Sequence, residues 1–136
     1  MIDIRKVYSF NFPTLVRFGP GVIKELGSYL KDNNLSSPLL VTDPNIAKLK
    51  FFKEIQKNIE QQGLNTEVYK EMHKNPIKSD VLLGGDRYHE AKRDCIIGIG
   101  GGVALDVARA IVLRVNHKRD LFDYDDLIGG EKYITK

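Results

Sequence analysis

The residues best suited to chemistry in this chain form a glycine run, Gly98-Ile99-Gly100-Gly101-Gly102, that continues into Val103-Ala104-Leu105-Asp106. It joins a short apolar segment, Cys95-Ile96-Ile97, to a stretch with helical periodicity. Without a Cβ, a glycine backbone admits the close approach of a phosphate. A helix N-terminus adds unpaired N–H groups and a partial positive charge. Together they make an anion cradle that needs no basic side chain. The run does not complete G-x-G-x-x-G, because Val103 stands where the last glycine falls, and the lysine and Ser/Thr of a P-loop are absent. The plainer reading of the same residues is a tight strand-to-helix turn.

Two carboxylates accompany the run. Asp43 ends the apolar segment Leu39-Leu40-Val41-Thr42 and precedes Pro44. A carboxylate there can accept hydrogen bonds from a ribose and repel a 2′-phosphate; Asp-Pro is also an ordinary helix start. One side chain can serve both purposes. Asp106 falls in the first turn of the helix after the glycines, where negative charge suits the helix dipole, and that plainer role is preferred on the residues alone. His73, His89 and His117 show no metal-ligand spacing with one another or with a carboxylate, so no metal site is predicted, and they are read as surface or turn residues. The stretch His117-Lys118-Arg119 reads as a solvated helix end. Cys95 lies in an apolar run and reads as inert packing. No Ser/His/Asp or Cys/His catalytic set is present, and no catalytic residue is assigned.

The elements that must hold these groups follow from periodicity. Tyr8-Ser9-Phe10-Asn11-Phe12 alternates like a strand, and Leu15-Val16-Arg17-Phe18 completes an N-terminal hairpin. Phe18-Gly19-Pro20-Gly21 then opens a helix on which Val22, Leu26, Tyr29 and Leu30 share a face. The run Pro38-Leu39-Leu40-Val41-Thr42 suits a strand buried on both sides of a parallel sheet. Phe52, Ile55 and Ile59 mark the next helix, ended by Gly63. Thr66-Glu67-Val68-Tyr69 is a strand, and residues 79–92 a helix despite Gly84-Gly85. The segment 95–99 is a further buried strand, placed centrally in the sheet. Its helix buries Ala104, Val107, Ala108 and Ile111. Strands alternating with helices imply a mostly parallel sheet whose ligands bind beyond the strands' carboxyl ends. Asp43 and the glycine run both stand at such ends.

The 136 residues are one domain's worth, with 42% hydrophobic and 29% charged residues, which excludes a disordered or collagen-like chain. Apolar runs are too short to span a bilayer, and the N-terminus lacks a signal peptide's apolar core. A net charge of +3 is too mild to argue for a nucleic-acid or membrane partner. One cysteine cannot close an internal disulfide, which fits a cytoplasmic setting.

Four features in order resemble the N-terminal part of the iron-containing alcohol dehydrogenase family, in the dehydroquinate synthase-like superfamily. Phe18-Gly19-Pro20-Gly21 with Leu26-Gly27 resembles the family's opening motif. Leu40-Val41-Thr42-Asp43 resembles the strand end bearing its cofactor-ribose aspartate. Asn75-Pro76 resembles its asparagine-proline turn near the cofactor. Ile97-Gly98-Ile99-Gly100-Gly101-Gly102 with Asp106, Ala108 and Arg109 resembles its pyrophosphate loop, G-G-G-S-x-x-D-x-A-K. Val103 replaces the serine and Arg109 the lysine.

The resemblance implies a Rossmann-like, mostly parallel sheet with helices on both faces and an N-terminal β-hairpin. Cofactor contacts are implied at Asp43, Asn75, Gly100, Gly101, Gly102, Val103 and Asp106, with NAD preferred to NADP. Relatives add a T-T-A-G-T-G-S-E segment beside the nicotinamide and a helical domain that holds Fe²⁺ or Zn²⁺. This chain reaches Lys136 where that segment is due, so the expectation is a truncated chain, residues 1–136, without the metal domain or turnover of its own. Pairing as a homodimer through the hairpin is also implied. The competing readings are a non-catalytic nucleotide-binding module and a dimerisation unit.

Overall fold

The computed structural model describes residues 14–135. The apolar run at 38–41 becomes β1 (Pro38–Val41), buried along its whole length. β2 (Glu67–Tyr69) and β3 (Cys95–Gly98) flank it, both parallel to it, in the order β2-β1-β3. Leu40 stands opposite Val68 on one side and Ile97 on the other. Among the described residues β1 is therefore the central strand and β3 an edge. The expectation that the glycine run follows a central strand is corrected: a short apolar run looks the same on either kind of strand. The partial exposure of Cys95, Ile96 and Ile97 agrees with the edge position.

Strand side chains alternate between faces, and the helices divide accordingly. Leu40 joins Leu30 of α1 (Leu26–Asp32) and Phe52 and Ile59 of α2 (Lys50–Gln61). Leu39 and Val41 join Val81 of α3 (Lys78–Glu90) and Ala104, Val107 and Ile111 of α4 (Gly102–Asn116). Helices thus cover both faces. Leu39, Leu40 and Val41 are fully buried, each contributing roughly 1.5–3 kcal/mol of hydrophobic stabilisation. Tyr29, expected on the buried face of the first helix, is half exposed instead, because the face that α1 (Leu26–Asp32) buries is centred on Gly27 and Leu30 and Tyr29 lies off its edge; a short 3-10 turn (Val22–Glu25) precedes the helix. None of the described helices is long and apolar enough to cross a membrane.

The first strand of the expected hairpin, residues 8–12, lies outside the described residues. Its second strand, residues 15–18, is exposed and pairs with no described strand, so alternation alone has no ladder to complete there.

After α4 the chain makes three 3-10 turns, Leu121–Tyr124, Asp126–Ile128 and Gly130–Tyr133. Lys78 at the start of α3 pairs with Asp120, and the Arg119 amide donates to Tyr124 Oη at 3.1 Å. His117 is more than a solvated helix end. Its Nδ1 lies 2.9 Å from the Leu113 carbonyl, and its Nε2 accepts from the Thr135 amide at 2.9 Å, tying the last turn back to α4.

Candidate functional site

Three loops leave the carboxyl ends of the strands. Thr42 and Asp43 follow β1, residues 70–77 follow β2, and the glycine run follows β3. In the order β2-β1-β3 the chain passes from β1 to one neighbour and then back across to the other. Open parallel sheets bind ligands in the crevice where the order reverses, here between β1 and β3.

The crevice is closely built. The Ile99 amide donates to the Val41 carbonyl at 2.8 Å, carrying the ladder one residue past β3. Gly100 has φ +145, which only glycine adopts without strain, and a Cβ on it would lie 2.9 Å from Ala104 Cβ. The same Cβ would lie 3.7 Å from Asp43 Oδ2, so Asp43 and the loop meet. The other oxygen, Asp43 Oδ1, accepts from the Asn45 amide at 2.8 Å and the Ile46 amide at 3.0 Å. One carboxylate thus caps the turn after β1 and also presents an oxygen to the glycine loop.

Gly101 and Gly102 are different. Among the described residues, no atom beyond the immediate chain neighbours and the helix's own nearby backbone lies within 4 Å of a Cβ built on either, and Gly101 has an ordinary extended backbone, φ −82 and ψ −170. Neither conformation nor packing requires them to be glycine. They stand at the N-terminus of α4, which no side chain caps and whose first N–H groups lack intrahelical acceptors. Val103, the second residue of α4, is part exposed beside them.

Asn75 is exposed on the loop after β2, and Asp106 is exposed on α4, where it pairs with Arg109 Nη1 at 3.2 Å. A groove of about 530 Å³ runs between them, lined by Pro76, Ile77, Val81, Asp106, Val107 and Phe122. The structure therefore brings Asp43 to Gly100, and the asparagine-proline turn to Asp106.

Two residues escaped sequence reasoning. Asp80, on α3, is only 1% exposed, and its carboxylate accepts from the His73 and Ile77 amides, each at 3.1 Å, with His73 Nδ1 at 2.7 Å. Burial pushes this carboxyl up, but hydrogen bonds from Ile77 and His73 outweigh it and hold it below the ordinary carboxylate range. A signal existed: an acid three residues into a helix commonly accepts from the backbone at the helix start. The second is Thr42, whose buried hydroxyl has no partner among the described residues; nothing in the sequence marks it.

Cys95 fits inert packing, since burial, and then the neighbouring Asp94, push its thiol up to about 12. Among the described residues no three His, Cys, Asp or Glu side chains converge as metal ligands would, so the donor set does not fit a catalytic metal.

A parallel α/β sheet with a glycine loop at its switch point defines a Rossmann-like protein. The family model for iron-containing alcohol dehydrogenase matches residues 13–136, and the chain belongs to that family. It is 32% identical over 126 residues to alcohol dehydrogenase 4 of Saccharomyces cerevisiae (strain YJM789), covering 93% of this chain and 33% of the yeast protein. In structure it resembles 1,3-propanediol oxidoreductase, with TM-score 0.81, 24% identity and coverage of 88% of this chain and 31% of that one. It also resembles sulfoacetaldehyde reductase from Bifidobacterium kashiwanohense, solved in complex with NAD⁺, with TM-score 0.75, 21% identity and coverage of 88% and 31%. The chain spans about a third of the length of these relatives.

Proposed function

We propose that residues 1–136 form the dinucleotide-binding domain of a metal-dependent alcohol dehydrogenase, and that they bind NAD(H) in preference to NADP(H). The observation that carries this reading is the pair Gly101 and Gly102, glycines at an uncapped helix N-terminus that no contact among the described residues requires to be glycine. A ligand that needs the missing Cβ atoms accounts for them, and a pyrophosphate suits the N–H groups and the dipole. The NAD⁺ complex of the sulfoacetaldehyde reductase supports the choice of ligand.

When bound, the nicotinamide supplies hydride transfer between an alcohol and an aldehyde carbon. The chain's own residues bind and orient. Gly100 keeps the loop turned so that Gly101, Gly102 and Val103 present their backbone to phosphate. Asp43 Oδ2 accepts hydrogen bonds from the adenosine ribose while Oδ1 keeps capping the turn. Asn75 and Asp106 border the groove on the other side of the cradle. No described residue is assigned to the chemistry at the alcohol oxygen. A single cysteine fits a cytoplasmic setting.

Titration with NADH and NADPH tests the reading. The chain should bind NADH more tightly, because a 2′-phosphate beside Asp43 costs on the order of 1 kcal/mol or more. Asp43→Asn keeps an oxygen for the cap and should narrow the gap between cofactors. An unchanged ratio would reduce Asp43 to a cap, and absence of binding to either would reject the proposal.

The exposed apolar side chains Leu15, Val16 and Phe18 favour a second activity of the chain, homodimerisation through its N-terminal segment. Sedimentation of the chain and of a Val16→Asp variant tests it: a dimer that the variant breaks supports the reading, and a monomer rejects it.

A further inference from the structure

Asp80 is the most deeply buried carboxylate among the described residues, and the mechanism above does not use it. It sits on α3 but spends its hydrogen bonds on the loop before that helix. Oδ2 accepts from both the His73 and Ile77 amides, and Oδ1 faces His73 Nδ1. These contacts bracket Asn75-Pro76 from both sides. The Asp80 carbonyl accepts from Tyr69 Oη at 2.6 Å, so the same residue fastens the loop to the buried end of β2. Burial, and then the Asp80 charge, push the Tyr69 hydroxyl up to about 12, so it remains a donor under ordinary conditions.

We infer that Asp80 is a positioning residue for the dinucleotide site: it fixes the turn carrying Asn75 and Pro76 against the groove that leads to Asp106. The inference rests on the dinucleotide reading above. An exposed turn with no regular structure loses backbone freedom on binding unless something holds it beforehand. Asp80 does so with one carboxylate that satisfies two loop amides. The consequence is selective. A ligand long enough to reach from Asp43 past the cradle to the turn gains from Asp80, whereas one confined to the Asp43 end does not.

The chain is titrated with NADH and, separately, with AMP. In Asp80→Ala the two amides lose their acceptor, and NADH affinity falls about tenfold while AMP affinity stays within about twofold. Asp80→Asn can place its carbonyl oxygen where Oδ2 stands and its amide nitrogen toward the His73 ring, and it restores NADH affinity to within about threefold of the wild type. A purely structural role moves neither ligand in the folded protein, or both equally, and either result overturns the inference. Should Asp80→Ala not fold, His73→Ala, altering a largely exposed side chain, must weaken NADH about threefold with AMP unchanged. Unchanged NADH affinity there overturns the inference as well. A wild-type chain that binds neither nucleotide instead overturns the dinucleotide reading, and this inference falls with it.

Discussion

Gly84 and Gly85 lie inside α3, facing α4. A Cβ on Gly84 would come 2.9 Å from Ile111 Cγ1 and 3.1 Å from Tyr69 Cε1, and one on Gly85 would meet Arg114 Cγ at 3.3 Å. Gly101 and Gly102 lie at the start of α4, and there the space a Cβ would take is empty. The first pair is explained by the chain itself: the two helices approach too closely for a side chain at Gly84. The second pair has no such explanation among the described residues. Gly100 stands between these cases, since both its φ and its distance to Ala104 demand glycine, yet it also shapes the loop that carries the open pair. Glycines that appear alike in sequence thus separate into those that pack, one that turns the backbone, and those that leave room.

Substitutions break or sharpen this division. The largest effect is expected for Gly84→Val, which drives a branched side chain into the buried Ile111 and should cost about 3 kcal/mol of stability. Guanidinium unfolding measures it. Dinucleotide affinity of the folded protein should not change, and a stability loss below about 0.5 kcal/mol would show that α3 and α4 part easily to admit the side chain. Gly100→Ala comes next. Placing a side chain at φ +145 should cost about 2 kcal/mol, and because the loop must shift, binding should weaken together with stability. A variant with lowered stability and undiminished NADH affinity would separate the turn from the site. The smallest effect belongs to Val103→Ser. A hydroxyl at this part-exposed position should tighten dinucleotide binding by about 0.5–1.5 kcal/mol through one hydrogen bond to phosphate. Isothermal titration checks it, alongside melting without ligand. Equal stabilisation with and without ligand would assign the serine to helix capping instead.

Much of the fold could be read from the sequence, though not this division of its glycines. The continuous apolar runs at 38–42 and 95–97 became β1 and β3, and the helical stripe of Ala104, Val107, Ala108 and Ile111 is the buried face of α4. The capping role of Asp43 was also legible, since Asp-Pro at a strand end is an ordinary turn start and its Oδ1 accepts from the Asn45 and Ile46 amides. What could not be read depends on partners distant in sequence. Whether β3 is central or at an edge depends on which strands flank it. Residues 15–18 read as a hairpin strand yet meet no described partner. Asp80 carried a local signal in its place three residues into α3, but its bond from the His73 amide, seven residues back, had none. His117 became a tie because the segment after the last 3-10 turn folds back and brings the Thr135 amide to its ring. Each of these is a tertiary contact, which local periodicity does not encode.

The central claim is that Gly101 and Gly102 are glycine for a ligand's sake and not the chain's. It is tested most directly by measuring, on the double variant Gly101→Val/Gly102→Val, both the thermal midpoint and the NADH dissociation constant. With no packing contact among the described residues within 4 Å of either new Cβ, the thermal midpoint should stay within about 4 °C of the wild type. The valines would occupy the space of the pyrophosphate, so NADH affinity should fall by tenfold or more, a loss of about 1.4 kcal/mol. A variant that melts as the wild type does and binds NADH equally well would contradict the account.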